Sequence, residues 1–227
     1  MTAVKICGLC RAEDAALAAD AGADYVGVIL SPGFGRSRSV AEAAAIFAAA
    51  GGSARVGVFV DAGRDVVLDA AVRLGLDVVQ LHGTEPPAEA GALRAGGRWQ
   101  VWKALRPRTR DELLDGAAAY ADVVDAILVD GFGGGAVGGT GARAPWDEVA
   151  AAARRFPARL RLVLAGGLGP GNVADAIERV RPAVVDVSSG VERVVGEKSA
   201  EKVRAFIAEA RRAGGTTMRD TTSDTAE

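Results

Sequence analysis

The sequence predicts a single (β/α)8 TIM barrel with a parallel eight-stranded core, and three observations carry that expectation. Eight short, near-continuously apolar, β-branched runs alternate with eight Ala-, Glu- and Arg-rich stretches of helical length. The 227 residues suit one α/β barrel. The last two strands run straight into glycine and serine, in Leu164-Ala-Gly-Gly-Leu-Gly-Pro-Gly-Asn172 and Val184-Val-Asp-Val-Ser-Ser-Gly-Val-Glu192. Loops of that kind, each followed by a helix whose dipole adds positive charge, are what the seventh and eighth units of such a barrel use to hold a phosphate. A doubly wound open sheet is the alternative topology.

Strands are expected at 4–7, 25–30, 55–60, 78–81, 100–104, 126–130, 161–165 and 184–187. Their unbroken apolarity is that of strands covered on both faces. Helices are expected at 13–21, 40–50, 64–74, 88–95, 111–120, 146–156, 171–181 and 199–213. Gly22 and Gly75 stand where the first and third helices must stop, with Asp24 and Asp77 just before the following strands. The two pieces resemble each other and hint at a repeated unit. The barrel domain is placed at 1–213. Residues 214–227, polar and threonine-rich, are expected to be a disordered tail without a catalytic part.

With 49% hydrophobic and 25% charged residues the chain can bury a sizeable core. A formal net charge of −2 gives no electrostatic case for nucleic acid or an anionic membrane as partner. Cys7 and Cys10 are the only cysteines and His82 the only histidine, so neither a disulfide framework nor a zinc site is expected. The Cys-x-x-Cys spacing lacks a thioredoxin-like context. Neither a metal nor a cofactor is expected. There is no charged-then-apolar leader and no apolar run of membrane-spanning length, so the expected setting is a reducing cytoplasm. The expected state is a monomer or homodimer.

In such a barrel the working face lies at the carboxyl ends of the strands. Strand ends bring Cys7, the 31–39 loop, Asp61, His82, Lys103, Asp130, Gly166, Gly167 and the Ser188, Ser189, Gly190 loop toward one mouth. These groups suit a phosphorylated small molecule. Cys7 becomes a useful base only if nearby positive charge favours the thiolate over a thiol of pKa near 8.5. Asp130, ending an otherwise apolar strand, serves as an acid if a closed pocket raises it roughly two units above about 3.9. Such a pair performs proton-transfer isomerisation without a cofactor. Arg36 and Arg38, in a glycine-rich loop, suggest a clamp on a substrate carboxylate or phosphate. The glycine-rich 131–141 segment is read as a lid.

Taken in order, Lys5-Ile-Cys-Gly-Leu9, Gly22-Ala-Asp-Tyr-Val-Gly27, Val56-Gly-Val-Phe59, Gln80-Leu-His-Gly83, Asp130, Gly138-Gly-Thr-Gly141, Leu164-Ala-Gly-Gly-Leu168 with Asn172, and Asp186-Val-Ser-Ser-Gly-Val-Glu192 resemble the phosphoribosylanthranilate isomerase family. The resemblance implies a cofactor-free aldose–ketose isomerase of tryptophan biosynthesis. Its reaction is the Amadori rearrangement of N-(5-phosphoribosyl)anthranilate to the 1-deoxyribulose 5-phosphate derivative. By resemblance, Asp130 protonates the ribose ring oxygen and Cys7 removes the C2 proton. His82, Gly166, Gly167, Asp186, Ser188, Ser189 and Gly190 contact substrate. Relative to the family's pattern the loop after strand two is longer by Gly33-Phe-Gly35. Arg38 aligns best with the family arginine and is given the anthranilate carboxylate, with Arg36 as the alternative. The family's Phe-Asp-Trp after the glycine loop appears as Pro145-Trp-Asp147. Among rival readings, a sugar-phosphate epimerase calls for metal-binding histidines and indole-glycerol-phosphate synthase for more strand-end lysines. A non-catalytic phosphate sensor requires Cys7 and Asp130 to stand apart.

Overall fold

The computed structural model describes residues 1–131 and 146–216. Within them, β1 (Ala3–Ile6), β2 (Tyr25–Ile29), β3 (Ala54–Phe59), β4 (Val78–Leu81), β5 (Gln100–Leu105), β6 (Ala126–Asp130), β7 (Arg161–Ala165) and β8 (Val184–Val187) form a closed barrel. Every neighbouring pair is parallel, and β1 closes on β8 through Ala3–Val184 to Ile6–Val187. The open-sheet alternative is thereby excluded. Around the barrel lie α1 (Ala12–Asp20), α2 (Val40–Ala48), α3 (Arg64–Leu74), α4 (Pro87–Ala95), α5 (Arg110–Tyr120), α6 (Trp146–Ala153), α7 (Val173–Val180) and α8 (Ala200–Thr216). Helix α8 runs three residues past the expected domain end. Residues 217–227, and the expected lid beyond Gly131, lie outside the described residues.

Pleating sorts the strand residues into two cores. One alternate set, with Val56, Val58, Val78, Trp102, Ala104, Leu128, Val163 and Val184, fills the barrel interior. The other set packs with the apolar stripes of the helices into the outer layer. The stop signal at Gly75 acts as the sequence suggests, capping α3 in the left-handed region at φ 57°. At the start of α2, Ser39 with Glu42 forms a capping box.

The recurring aspartate has a definite use. Before β2, β4 and β6, the carboxylates of Asp24, Asp77 and Asp125 accept the backbone N–H of Val4, Arg55 and Val101, at 2.7, 2.8 and 2.8 Å. Strands β2, β4 and β6 are thus each pinned to the start of the odd-numbered strand before them. The repeat sensed in the sequence is this two-strand clamp at the amino-terminal face, opposite the mouth.

One connection departs from the simple alternation. After β8 the chain makes a single 3-10 turn (Ser189–Val191) and then a short antiparallel hairpin of β9 (Glu192–Val194) and β10 (Glu197–Lys198) before α8 begins. The helical dipole expected straight after the Ser188–Gly190 loop is therefore only one turn long.

Candidate active site

A cavity of about 230 Å³ opens at the carboxyl ends of the strands. Cys7, His82, Asp130, Gly166, Gly167, Asp186, Ser188, Ser189 and Gly190 all line it, as do Arg36, Gln80 and Phe34. The thiol and the carboxyl group thus share one chamber, which removes the condition on which the sensor reading depended. Three groups from the expected circuit are elsewhere. Asp61 accepts the backbone N–H and hydroxyl of Thr84, at 2.6 and 2.9 Å, and ties two loops together. Lys103 is buried against Glu85 and the Gly83 carbonyl, at 2.8 and 2.7 Å.

The third is Arg38, the arginine expected to take the anthranilate carboxylate, with Arg36 as the alternative. Its backbone N–H rejoins the sheet at the Ile29 carbonyl, and its guanidinium donates to the carbonyls of Cys10 and Ser37. That geometry holds Arg38 away from the cavity. Arg36, two residues earlier and just after the Gly33-Phe-Gly35 insertion, lines the cavity. Glu192 grips the Arg36 Nε and Nη2 at 2.7 and 2.6 Å. Gly8 makes room for this: a Cβ there would stand 2.8 Å from Arg36 Cδ and 2.6 Å from Ser188 Oγ.

Asp130 is held by two neighbours. Its Oδ2 lies 3.2 Å from His82 Nε2 and 3.7 Å from Arg106 Nε. On the other edge of the ring, Gln80 Nε2 lies 2.9 Å from His82 Nδ1, and Arg106 donates to the His82 carbonyl at 3.0 Å. Gln80, His82 and Asp130 thus form a row across the mouth. Burial pushes the Asp130 pKa up, but the His82 hydrogen bond and the His82, Arg106 and Lys5 charges outweigh it, so the net shift is down. The upward shift expected for an acid is absent in the free protein.

Cys7 shows the opposite balance. Desolvation raises its pKa, and the neighbouring Lys5 charge only partly offsets this, so the resting thiol holds its proton. Lys5 is wholly buried, with its Nζ 2.9 Å from each Asp186 oxygen. Burial opposes its charge, yet Asp186 and Cys7 keep its pKa raised. Removing one member of such a buried pair costs about 3–5 kcal/mol, because a charge is left without its counterpart.

The two glycine–serine loops form a continuous wall. Gly166 and Gly167 adopt φ of 82° and 64°, and a Cβ on Gly166 would run into the backbone of Gly131. A Cβ on Gly190 would strike the Leu168 carbonyl. Asn172 fixes the first loop, accepting from Gly169 N–H at 2.8 Å and donating to Gly167 O at 2.9 Å. Small residues are therefore required where the two loops pack against each other, and the packed loops present backbone to the cavity.

Sequence reasoning missed Lys5, Gln80, Arg106 and Glu192 as parts of the site. For two of them a signal was present. Lys5 and Gln80 are polar residues in buried strands, two positions before Cys7 and His82, and period-two alternation puts each pair on one face.

Residues 4–209 match a sequence model of the family described as N-(5'-phosphoribosyl)anthranilate (PRA) isomerase. The chain is 45% identical over 214 residues to the N-(5'-phosphoribosyl)anthranilate isomerase of Citrifermentans bemidjiense, covering 93% of this chain and 98% of that protein. A crystal structure of phosphoribosyl anthranilate isomerase in complex with reduced 1-(o-carboxyphenylamino)-1-deoxyribulose 5-phosphate superposes with a TM-score of 0.81 at 35% identity, covering 93% of this chain and 100% of that one. Monomers of the dimeric phosphoribosylanthranilate isomerase of Thermotoga maritima superpose with a TM-score of 0.80 at 35% identity and the same coverage.

Proposed function

Because the chain belongs to the N-(5'-phosphoribosyl)anthranilate isomerase family, we propose that it isomerises N-(5-phosphoribosyl)anthranilate to 1-(2-carboxyphenylamino)-1-deoxyribulose 5-phosphate, a step of tryptophan biosynthesis. The observation that carries the reading is the presence of Cys7 and Asp130 in the lining of one cavity, beside a glycine–serine wall.

In the proposed reaction the wall formed by Gly166, Gly167, Ser188, Ser189 and Gly190 holds the phosphate. Arg36 takes the anthranilate carboxylate. Glu192 occupies its Nε and Nη2, which leaves the Nη1 donors for a ligand. Asp130 gives a proton to the ribose ring oxygen as the C1–O bond breaks and the nitrogen lone pair forms the C1=N bond. Cys7 then takes the C2 hydrogen, and the freed pair makes a C1=C2 bond while the C1=N pair returns to nitrogen. The resulting enolamine loses its hydroxyl proton and gains one at C1 to give the ketone. Atoms balance without an external oxidant or reductant.

The resting proton stands on Cys7 and not on Asp130, whereas this sequence of steps uses the other arrangement. Both arrangements carry the same total charge, so a minority form with the proton moved to the carboxylate is the active one. Its population depends on how close the two pKa values lie.

The described cavity residues all come from one chain, so a monomer or a homodimer both suit the reading, and light scattering distinguishes them. Two free cysteines suit a reducing cytoplasm. Among the described residues no helix is long and apolar enough to cross a membrane. The test of function is direct. Mixed with phosphoribosylanthranilate, the protein is expected to speed the loss of anthranilate fluorescence far beyond the uncatalysed rate. Decay at the background rate would overturn the proposal.

A further inference from the structure

We propose that Lys5 is a positioning residue for the chemistry, a buried ammonium fixed by Asp186 beside the Cys7 sulfur so that the thiolate can form where the sulfur is shielded from water. The inference rests on the reading of Cys7 as the base. Lys5 does not line the cavity and does not touch a ligand there; it acts through the sulfur.

The placement follows from register. Cys7 directly follows β1 and stands two residues after Lys5, and its N–H continues the pairing to the Val187 carbonyl, so both side chains point into the barrel. On the adjacent strand Asp186 is the direct partner of Lys5. On the other side stands Gly27 of β2, where a Cβ would lie 2.9 Å from Cys7 Sγ and 3.2 Å from Lys5 Nζ. The missing side chain is the space in which sulfur and ammonium converge. Both Asp186 oxygens hold the Nζ, at 2.9 Å each, which stops it from swinging away.

Other charges act on the sulfur with less effect. Asp186 disfavours its negative form, and Lys198 of β10 favours it more weakly than Lys5 does. Arg36 interacts with it as well. Both of those cations are bound to Glu192, Arg36 at 2.6 Å and Lys198 at 3.1 Å. Asp130 and His82 line the same cavity from β6 and β4. Lys5 is thus the cation whose effect on Cys7 is largest, and its counter-ion lies on the side away from the β2 gap.

The experiment reads the thiolate without substrate, so its outcome is independent of whether the isomerase proposal holds. Cys7 alkylation by iodoacetamide is followed against pH in a Cys10→Ser background, which leaves one thiol. In Lys5→Met the apparent pKa of Cys7 is expected to rise by about one unit or more, and alkylation at pH 8 to slow about tenfold or more. A purely structural lysine would alter melting temperature but not this profile. Should Lys5→Met fail to fold, the charge-balanced Lys5→Met/Asp186→Asn variant removes the orphaned carboxylate. It is also expected to alkylate more slowly than the parent, since the Lys5 effect on Cys7 exceeds that of Asp186. A folded variant of either kind with the parent's alkylation profile would overturn the inference.

Discussion

At the residue scale the site is governed by two groups whose environments push their pKa values apart. Asp130 is held below the ordinary carboxylate range, and Cys7 is pushed above the ordinary thiol value. The active form carries one proton between them, so kcat/KM is expected to stay level across neutral pH. It should fall on the acid side only as pH drops through the lowered Asp130 value, and on the alkaline side only above the ordinary thiol range. A pH series with the purified protein checks this; a single rising limb near pH 8 would mean that the resting thiol, and not the pair, sets the rate. Replacing His82 by Ala removes a hydrogen bond that lowers Asp130 and should move the acid limb toward higher pH. For the arginines, Arg36→Ala should raise KM about tenfold or more by deleting a charge-assisted contact. Arg38→Ala should leave KM near that of the parent. Steady-state kinetics on both variants decides between them. The sequence pointed to Arg38 because Ser39-Val40 and the alanine-rich helix that follow it align with the family pattern, and an alignment does not show where a guanidinium turns. Only the return of Arg38 N–H to the Ile29 carbonyl reveals which arginine reaches the mouth. Lys5 and Glu192 escaped notice for a related reason, since their importance lies in what they neutralise across strands and loops far apart in sequence.

At the element scale, the strands and most helix ends were legible because continuous apolar runs, Gly22 and Gly75 encode them locally. The β9–β10 hairpin was not, because its two strands are three and two residues long and are placed by tertiary contacts. Lys198, buried within it, reaches back to the Ser188 carbonyl at 3.0 Å and to Glu192. The aspartate clamps belong to this scale too. Asp125→Ala leaves the buried Val101 N–H without its 2.8 Å acceptor and should lower unfolding free energy by about 1–3 kcal/mol. Because the clamp is on the face opposite the mouth, kcat/KM of the folded protein should hold. Urea unfolding and steady-state assays together check both halves. Gly166→Ala has the converse expectation: its side chain would run into the Gly131 backbone next to Asp130, so turnover and phosphate-ligand affinity should fall together.

At the scale of the whole molecule, closing eight parallel strands into one ring brings Cys7, near the start of the chain, to the same chamber as Asp130 and Ser188. The sequence supplied the list of mouth residues through the rule that strand ends face one way, and most of that list was found together. Asp61 and Lys103 were not, because a strand end can also turn its side chain into the loops: both are satisfied there by Thr84 and Glu85. The central claim is that thiol and carboxyl group act on one sugar from their places in that chamber. The measurement that tests it most directly is the fluorescence assay with phosphoribosylanthranilate, run on the parent, Cys7→Ala and Asp130→Asn proteins alongside the affinity of each for the phosphorylated product. The account predicts that each substitution lowers kcat by about 10²–10⁴-fold while product affinity stays within a few-fold of the parent. Parent-like turnover in either variant would contradict it.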